Sequence, residues 1–87
     1  MRRRVVVHGR VQGVFFREAT RRHAEEHGVA GWVRNTWEGT VEAVFEGPPE
    51  AVERLVGFVH RGPSSAHVER VEVFPENEEG LTGFSVR

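Results

Sequence analysis

Five residue types are missing from this chain: cysteine, lysine, aspartate, tyrosine and isoleucine occur at none of its 87 positions. Without cysteine there is no disulfide framework and no thiolate nucleophile, so nothing favours secretion and a cytoplasmic, reducing location suits the composition. Without lysine, Schiff-base chemistry and Walker-type phosphate loops are excluded, and without aspartate so is an aspartyl-phosphate intermediate. All 13 acids are glutamate and all 12 Lys-or-Arg residues are arginine. Any phosphate chemistry must therefore be carried by arginine, main-chain amides, the amides of Asn or Gln, hydroxyls, histidine or glutamate.

Long apolar runs are lacking too. The opening MRRRVVVHGR places only three valines after its basic residues, too few for a secretory core or a membrane span. A net charge of −1 does not suit a protein that binds by neutralising many phosphates, so neither a nucleic-acid partner nor a membrane partner is expected. A chain of this size buries roughly 60% of its unfolded surface, enough for one core and a shallow site. Residues 1–87, free of repeats and linkers, are expected to form one monomeric domain.

What is present alternates between two periodicities. RRRVVVHGR is a β-branched run ended at Gly9 and reads as a first strand. Phe16, Ala19, Thr20, His23 and His27 share one face of a helix that Gly28 closes. VAGWVRNTW is a second strand, Glu38–Gly39 a hairpin turn, and TVEAVFEG a third strand with Val41, Ala43 and Phe45 inward and Thr40, Glu42 and Glu46 outward. PPEAVERLVGFVHRG enters a second helix through prolines, carries Val52, Leu55, Val56 and Val59 along one face, and stops at Gly62. HVERVEVF is a further strand, PENEEG a turn, and FSVR a short last strand. The order β-α-β-β-α-β with a short extra strand predicts an α+β, ferredoxin-like fold: an antiparallel sheet with two helices on one face. That fold hosts unrelated functions and decides no activity.

The loop between the first strand and the first helix carries the chemistry. Gly9 and Gly13 allow its N–H groups to turn inward as a nest for an anion, and the helix starting near Phe16 adds unpaired amides aimed the same way. Val11, Gln12 and Val14 bring no negative charge. Arg17 stands in the first helical turn, where the dipole already presents positive charge, with Arg21 one turn further on. A bound dianion would compensate both, and the planar Arg17 guanidinium fits two phosphate oxygens. An ordinary loop with Arg17 held by a glutamate or a chain terminus fits the same residues.

Two motifs separate these readings. VHGRVQGVFFR resembles the first signature of the acylphosphatases at Val7, Gly9, Val11, Gln12, Gly13, Val14, Phe16 and Arg17. GWVRNTWEGTVEAVFEG resembles their second at Gly31, Trp32, Val33, Arg34, Asn35, Gly39, Val41 and Gly47. The resemblance spans essentially the whole chain without departure in either motif. It implies an enzyme that hydrolyses the carboxyl–phosphate bond of a small-molecule acyl phosphate. It implies phosphate binding by Val11, Gln12, Gly13, Val14, Phe15, Phe16 and Arg17, and a catalytic pair of Arg17 and the water-orienting Asn35. No cofactor and no metal is implied, and inorganic phosphate is expected as product and competitor. The ingredients suit this chemistry: a carboxylate leaves without a strong acid, and the phosphoryl group needs chiefly positioning and charge stabilisation.

Rival signals are weaker. HAEEH, from His23 to His27, matches the His-x-x-Glu-His pattern of inverted zinc peptidases, but such a site needs a third ligand and a cleft. The plainer expectation sets His23 partly buried on the inner helix face and His27 at the helix end. GVFFR has the look of an RNA-binding aromatic strand, yet Phe15 and Phe16 begin a helix, with Phe16 core-facing and Phe15 packed beside the loop. Trp32 and Trp37 are expected in hairpin packing, Ser64 and Ser65 in a turn, His60 and His67 at exposed element ends, and Arg2 to Arg4 on a solvated strand face.

Overall fold

The computed structural model describes residues 1–87. Its elements run β1 (Arg2–Arg10), α1 (Phe16–Glu26), β2 (Ala30–Asn35), β3 (Val41–Glu46), α2 (Pro49–Arg61), β4 (His67–Pro75) and β5 (Phe84–Val86). One sheet contains all five strands in the order β4-β1-β3-β2-β5. The four long strands pair antiparallel as expected, while the short β5 lies parallel to β2 and makes the sheet mixed. The cause is the route of the chain. β4 leaves the sheet where β1 enters it, with Pro75 opposite Arg3, so residues 76–83 cross that end and β5 runs back along the far edge.

Alternation of valines builds the inner face. Val5 and Val7 of β1, Val33 of β2, and Val41, Ala43 and Phe45 of β3 are fully buried, and both helices pack on that side. Burying such a side chain contributes about 1.5–3 kcal/mol. From α1 come Phe16, Thr20 and Ala24, one turn apart; from α2 come Val52, Leu55, Phe58 and Val59. The expected faces are thus rotated slightly: Ala24 and Phe58 are buried, and Val56 is only half-buried. Phe58 fills the seam between the helices, where its ring meets Phe16 at 6.2 Å and stacks on His23 at 3.9 Å. His23 is half-buried there, as the apolar periodicity requires.

The outer face corrects two expectations. Glu46, assigned to solvent by alternation, is buried, and so is Arg2, assigned to a solvated face; Val44 is buried as well. Segment 76–81 wraps this end of the sheet. Glu46 accepts hydrogen bonds from the N–H groups of Glu79, Gly80 and Leu81 at 3.0, 2.7 and 2.9 Å, and from Arg2 Nη1 at 3.1 Å. Arg2 also donates to Glu76. These donors hold the Glu46 carboxyl down to about 2, the Glu79 N–H most strongly, against the opposing effect of burial. Further along, Arg4 and Arg34 share Glu42, Arg4 lies over the Phe74 ring, and Arg87 lies over Trp32. No helix of this protein is long and apolar enough to cross a membrane.

Candidate active site

β1, β2 and β5 all end on the same side of the sheet, and the β1–α1 loop begins there. The strand does not end at Gly9 but runs on to Arg10, and Gly9 forms a bulge just before the loop. Its register slips against β4, its φ is 128°, and a Cβ would lie 2.2 Å from the His67 carbonyl oxygen, so only glycine lets the two main chains meet. Further on, Gly13 (φ 73°) and Phe15 (φ 64°) are both left-handed, with Val14 between them at negative φ. Such alternation turns successive N–H groups to one side. Phe15 is the only non-glycine residue with positive φ, a conformation that costs about 1–3 kcal/mol and clusters at ligand sites. No main-chain N–H from Val11 to Glu18 donates to a protein acceptor.

The loop is pinned from two directions. Gln12 Nε2 donates to the carbonyls of Thr36 and Thr40 at 2.8 and 2.9 Å, tying the loop to the β2–β3 turn. Ser65 Oγ donates to the Val14 carbonyl at 2.8 Å. Ser65 is therefore more than the plain turn residue its surroundings suggest; a contact spanning 51 positions leaves no periodic trace in sequence. Phe16 anchors the start of α1 in the core at 2% exposure.

Between the loop and the ends of β2 and β5 lies a cleft of about 380 Å³, to which Val11, Gly13, Phe15, Phe16, Arg17, Glu18, Asn35 and Val86 contribute. The structure therefore brings together most of the expected residues. Gln12 and Val14 do not line the cleft: the Gln12 amide grips the neighbouring turn, and Val14 is buried, so each brings only main-chain groups to the loop. Val86 escapes sequence reasoning because a three-residue edge strand carries too little pattern to place.

Arg17 pairs with no glutamate; its Nη1 donates to the oxygen of Arg87, the last residue of the sequence, at 3.2 Å at the surface, the chain-terminus contact that the plainer reading of the loop allows. Its like-charged neighbour Arg21 is neutralised separately, by Glu18 and Glu25 on the same helix, and its guanidinium pKa is raised above the ordinary value by the Glu18 hydrogen bond. Across the cleft, Asn35 ends β2 on the inner side of the sheet, in register with Val41 and on the same face as Val33. Its Oδ1 is buried and has no hydrogen-bond partner, the only side-chain polar atom in the protein so placed.

The comparisons with known proteins meet this geometry. The acylphosphatase family profile matches residues 3–86. The chain belongs to the acylphosphatase family. An acylphosphatase from Gloeobacter violaceus is 57% identical over 86 residues, covering 99% of this chain and 92% of that protein. One from Thermococcus kodakarensis is 59% identical over 80 residues, 92% of this chain and 88% of its own length. The crystal structure of acylphosphatase from Bacillus subtilis superposes with a TM-score of 0.94 at 37% identity, covering 99% of this chain and 97% of that one. Family and fold together support acylphosphatase activity on a small-molecule acyl phosphate.

Two expectations about acylphosphatase side chains fail here. Trp37, expected in hairpin packing, is fully exposed at the β2–β3 turn, while Trp32 is half-buried under Arg87. Phe15, expected beside the loop, is 82% exposed. In both cases the backbone has left the strand or not yet entered the helix, so no periodicity governs the side chain.

Proposed function

We propose that the phosphoryl group of the acyl phosphate lies in the β1–α1 loop, hydrogen-bonded by main-chain N–H groups between Val11 and Arg17, with the Arg17 guanidinium clasping two of its oxygens. Arg17 gives up its single contact, the surface oxygen of Arg87, for the phosphoryl dianion, whose two oxygens match the planar guanidinium fork. Asn35 Oδ1 accepts a hydrogen bond from a water and holds it opposite the leaving oxygen. Water oxygen attacks phosphorus, the bond from phosphorus to the acyl oxygen breaks, and the electron pair leaves with the carboxylate. The water's proton passes to a phosphoryl oxygen, since the one carboxylate lining the cleft, Glu18, is paired with Arg21, whose hydrogen bond holds it below the usual carboxylate range. Orthophosphate is the second product and competes for the same loop.

The observation that carries this reading is that Asn35, whose Oδ1 is buried without a hydrogen-bond partner, lines the same cleft as the loop and Arg17. Leaving an acceptor desolvated costs about 1–3 kcal/mol, which a folded protein tolerates where a ligand or water satisfies it. The reading needs no metal or cofactor, because a carboxylate leaves without Lewis-acid help. Residues 1–87 act as one domain and as a monomer. The exposed edge strand β4 carries Glu69, Arg70 and Glu72, charges that oppose edge-to-edge pairing. A cysteine-free chain is suited to the cytoplasm. The test is steady-state phosphate release from acetyl phosphate by the Arg17→Ala and Asn35→Ala variants. Near wild-type turnover in either, with folding intact, overturns its assigned role.

A further inference from the structure

The last turn of α1 holds a second constellation that hydrolysis does not use. His23, Glu26 and His27 stand at i, i+3 and i+4, and one donor atom from each lies within 4.8 Å of the other two. None of the three side chains hydrogen-bonds or ion-pairs with the rest of the protein, although Glu25 beside them is engaged by Arg21. His23 is held by its stack on Phe58, with ring centroids 3.9 Å apart and planes 23° apart, so one imidazole is oriented in advance. The His27 ring sits 6.2 Å from it, and Glu26 is exposed and free to turn. Glu26 is the third donor that counting two imidazoles in HAEEH does not supply.

We propose that His23, Glu26 and His27 form a binding site for a borderline divalent transition ion of the zinc, nickel or copper class, separate from the acylphosphatase site. Two imidazoles and one carboxylate suit that class, whereas calcium and magnesium demand oxygen ligands. Bonds of about 2.0–2.2 Å require the donors to close in, which rotation of the exposed Glu26 and the half-buried His27 provides while His23 stays on Phe58. The position also favours a cation, since the negative end of the helix dipole lies in this turn. Three donors on one helical turn leave the remaining positions to water, so the site ties the end of α1 rather than enclosing an ion. Ten residues separate His27 from Arg17, about 15 Å along the helix, so the ion touches no reacting atom.

The test titrates Zn²⁺ into the metal-free full chain, read by calorimetry and by the melting temperature, with Mg²⁺ as the control. The expected result is one Zn²⁺ per chain, a melting temperature that climbs with Zn²⁺ concentration, and no response to Mg²⁺. His27→Ala and Glu26→Gln each weaken Zn²⁺ binding by about tenfold or more, while His60→Ala on the other helix binds as wild type. Hydrolysis of acetyl phosphate by metal-free His27→Ala stays at the wild-type rate, which also verifies its fold. Should His27→Ala misfold, visible absorption bands of Co²⁺ in the wild type, lost in Glu26→Gln and in His27→Gln, establish the carboxylate and the second imidazole as ligands. No heat with Zn²⁺, an equal response to Mg²⁺, or wild-type affinity in Glu26→Gln overturns the proposal.

Discussion

Replacing Gln12 with alanine isolates the staple between the β1–α1 loop and the turn that follows Asn35. Its Nε2 donates to the Thr36 carbonyl at 2.8 Å and to the Thr40 carbonyl at 2.9 Å. A hydrogen bond of this kind nets about 0.5–1.5 kcal/mol. Both carbonyls keep a second donor in the variant, the Gly39 N–H for Thr36 and the Thr36 N–H for Thr40, so neither is orphaned. The loss then comes to about 1–3 kcal/mol for the pair. In a domain of this size each kcal/mol moves the melting temperature by roughly 4–8 °C, so Gln12→Ala melts lower by about 4–24 °C. Catalysis suffers by a different route. The loop still offers its own N–H groups, and orthophosphate binding stays close to wild type. The turn bearing Asn35 is no longer fixed against it, and a displacement near 1 Å can cost about 10²-fold. Turnover of acetyl phosphate therefore falls about 10- to 100-fold at nearly constant KM. Gln12→Glu keeps the length but turns acceptors toward two carbonyls, and should lose at least as much. A Gln12→Ala enzyme that melts lower yet turns over like wild type would refute the positioning role, and one unchanged in both would refute the staple.

Four other outcomes follow from the same geometry. Arg17→Ala should lose about 10²–10³ in kcat/KM, as expected for one preorganised charge stabiliser, measured by phosphate release. Asn35→Ala should lower kcat while KM is nearly kept, because only the water loses its guide. Phe15→Gly should melt no lower than wild type, since it relieves a left-handed φ and gives up an 82% exposed ring. Glu46→Gln should flatten the acid limb of the stability curve. The folded carboxyl sits at about 2 against an ordinary 4.5, so its contribution is complete above about pH 4.5 and drains away toward pH 2. Melting curves from pH 7 to pH 2 should show wild type and variant converging at the acid end.

Most of the fold is legible because one face of each strand and helix meets the core. Val5 and Val7 of β1 and Val41, Ala43 and Phe45 of β3 recur at every second position, and the apolar face of α2 repeats every turn, so inner-face burial follows from spacing. The β1–α1 loop is legible for another reason: glycine at positions 9 and 13 leaves a backbone signature in the sequence itself. What escapes depends on segments far apart in the chain. Glu46 reads as solvent-facing by alternation, and only the passage of residues 76–81 across the sheet end buries it. Ser65 supports Val14 across a similar distance, and Val86 reaches the cleft because β5 is carried to the far edge. The left-handed Phe15 is hidden too, as no residue type announces strain that a non-glycine accepts.

Calorimetric titration of orthophosphate into wild type, Arg17→Ala and Asn35→Ala bears most directly on the division of labour in the cleft. Wild type and Asn35→Ala should bind orthophosphate alike, because Asn35 addresses the water, and Arg17→Ala should bind it far more weakly or not at all. Equal affinity in all three proteins, or a loss confined to Asn35→Ala, would contradict the assignment of the loop and Arg17 as the phosphate cradle.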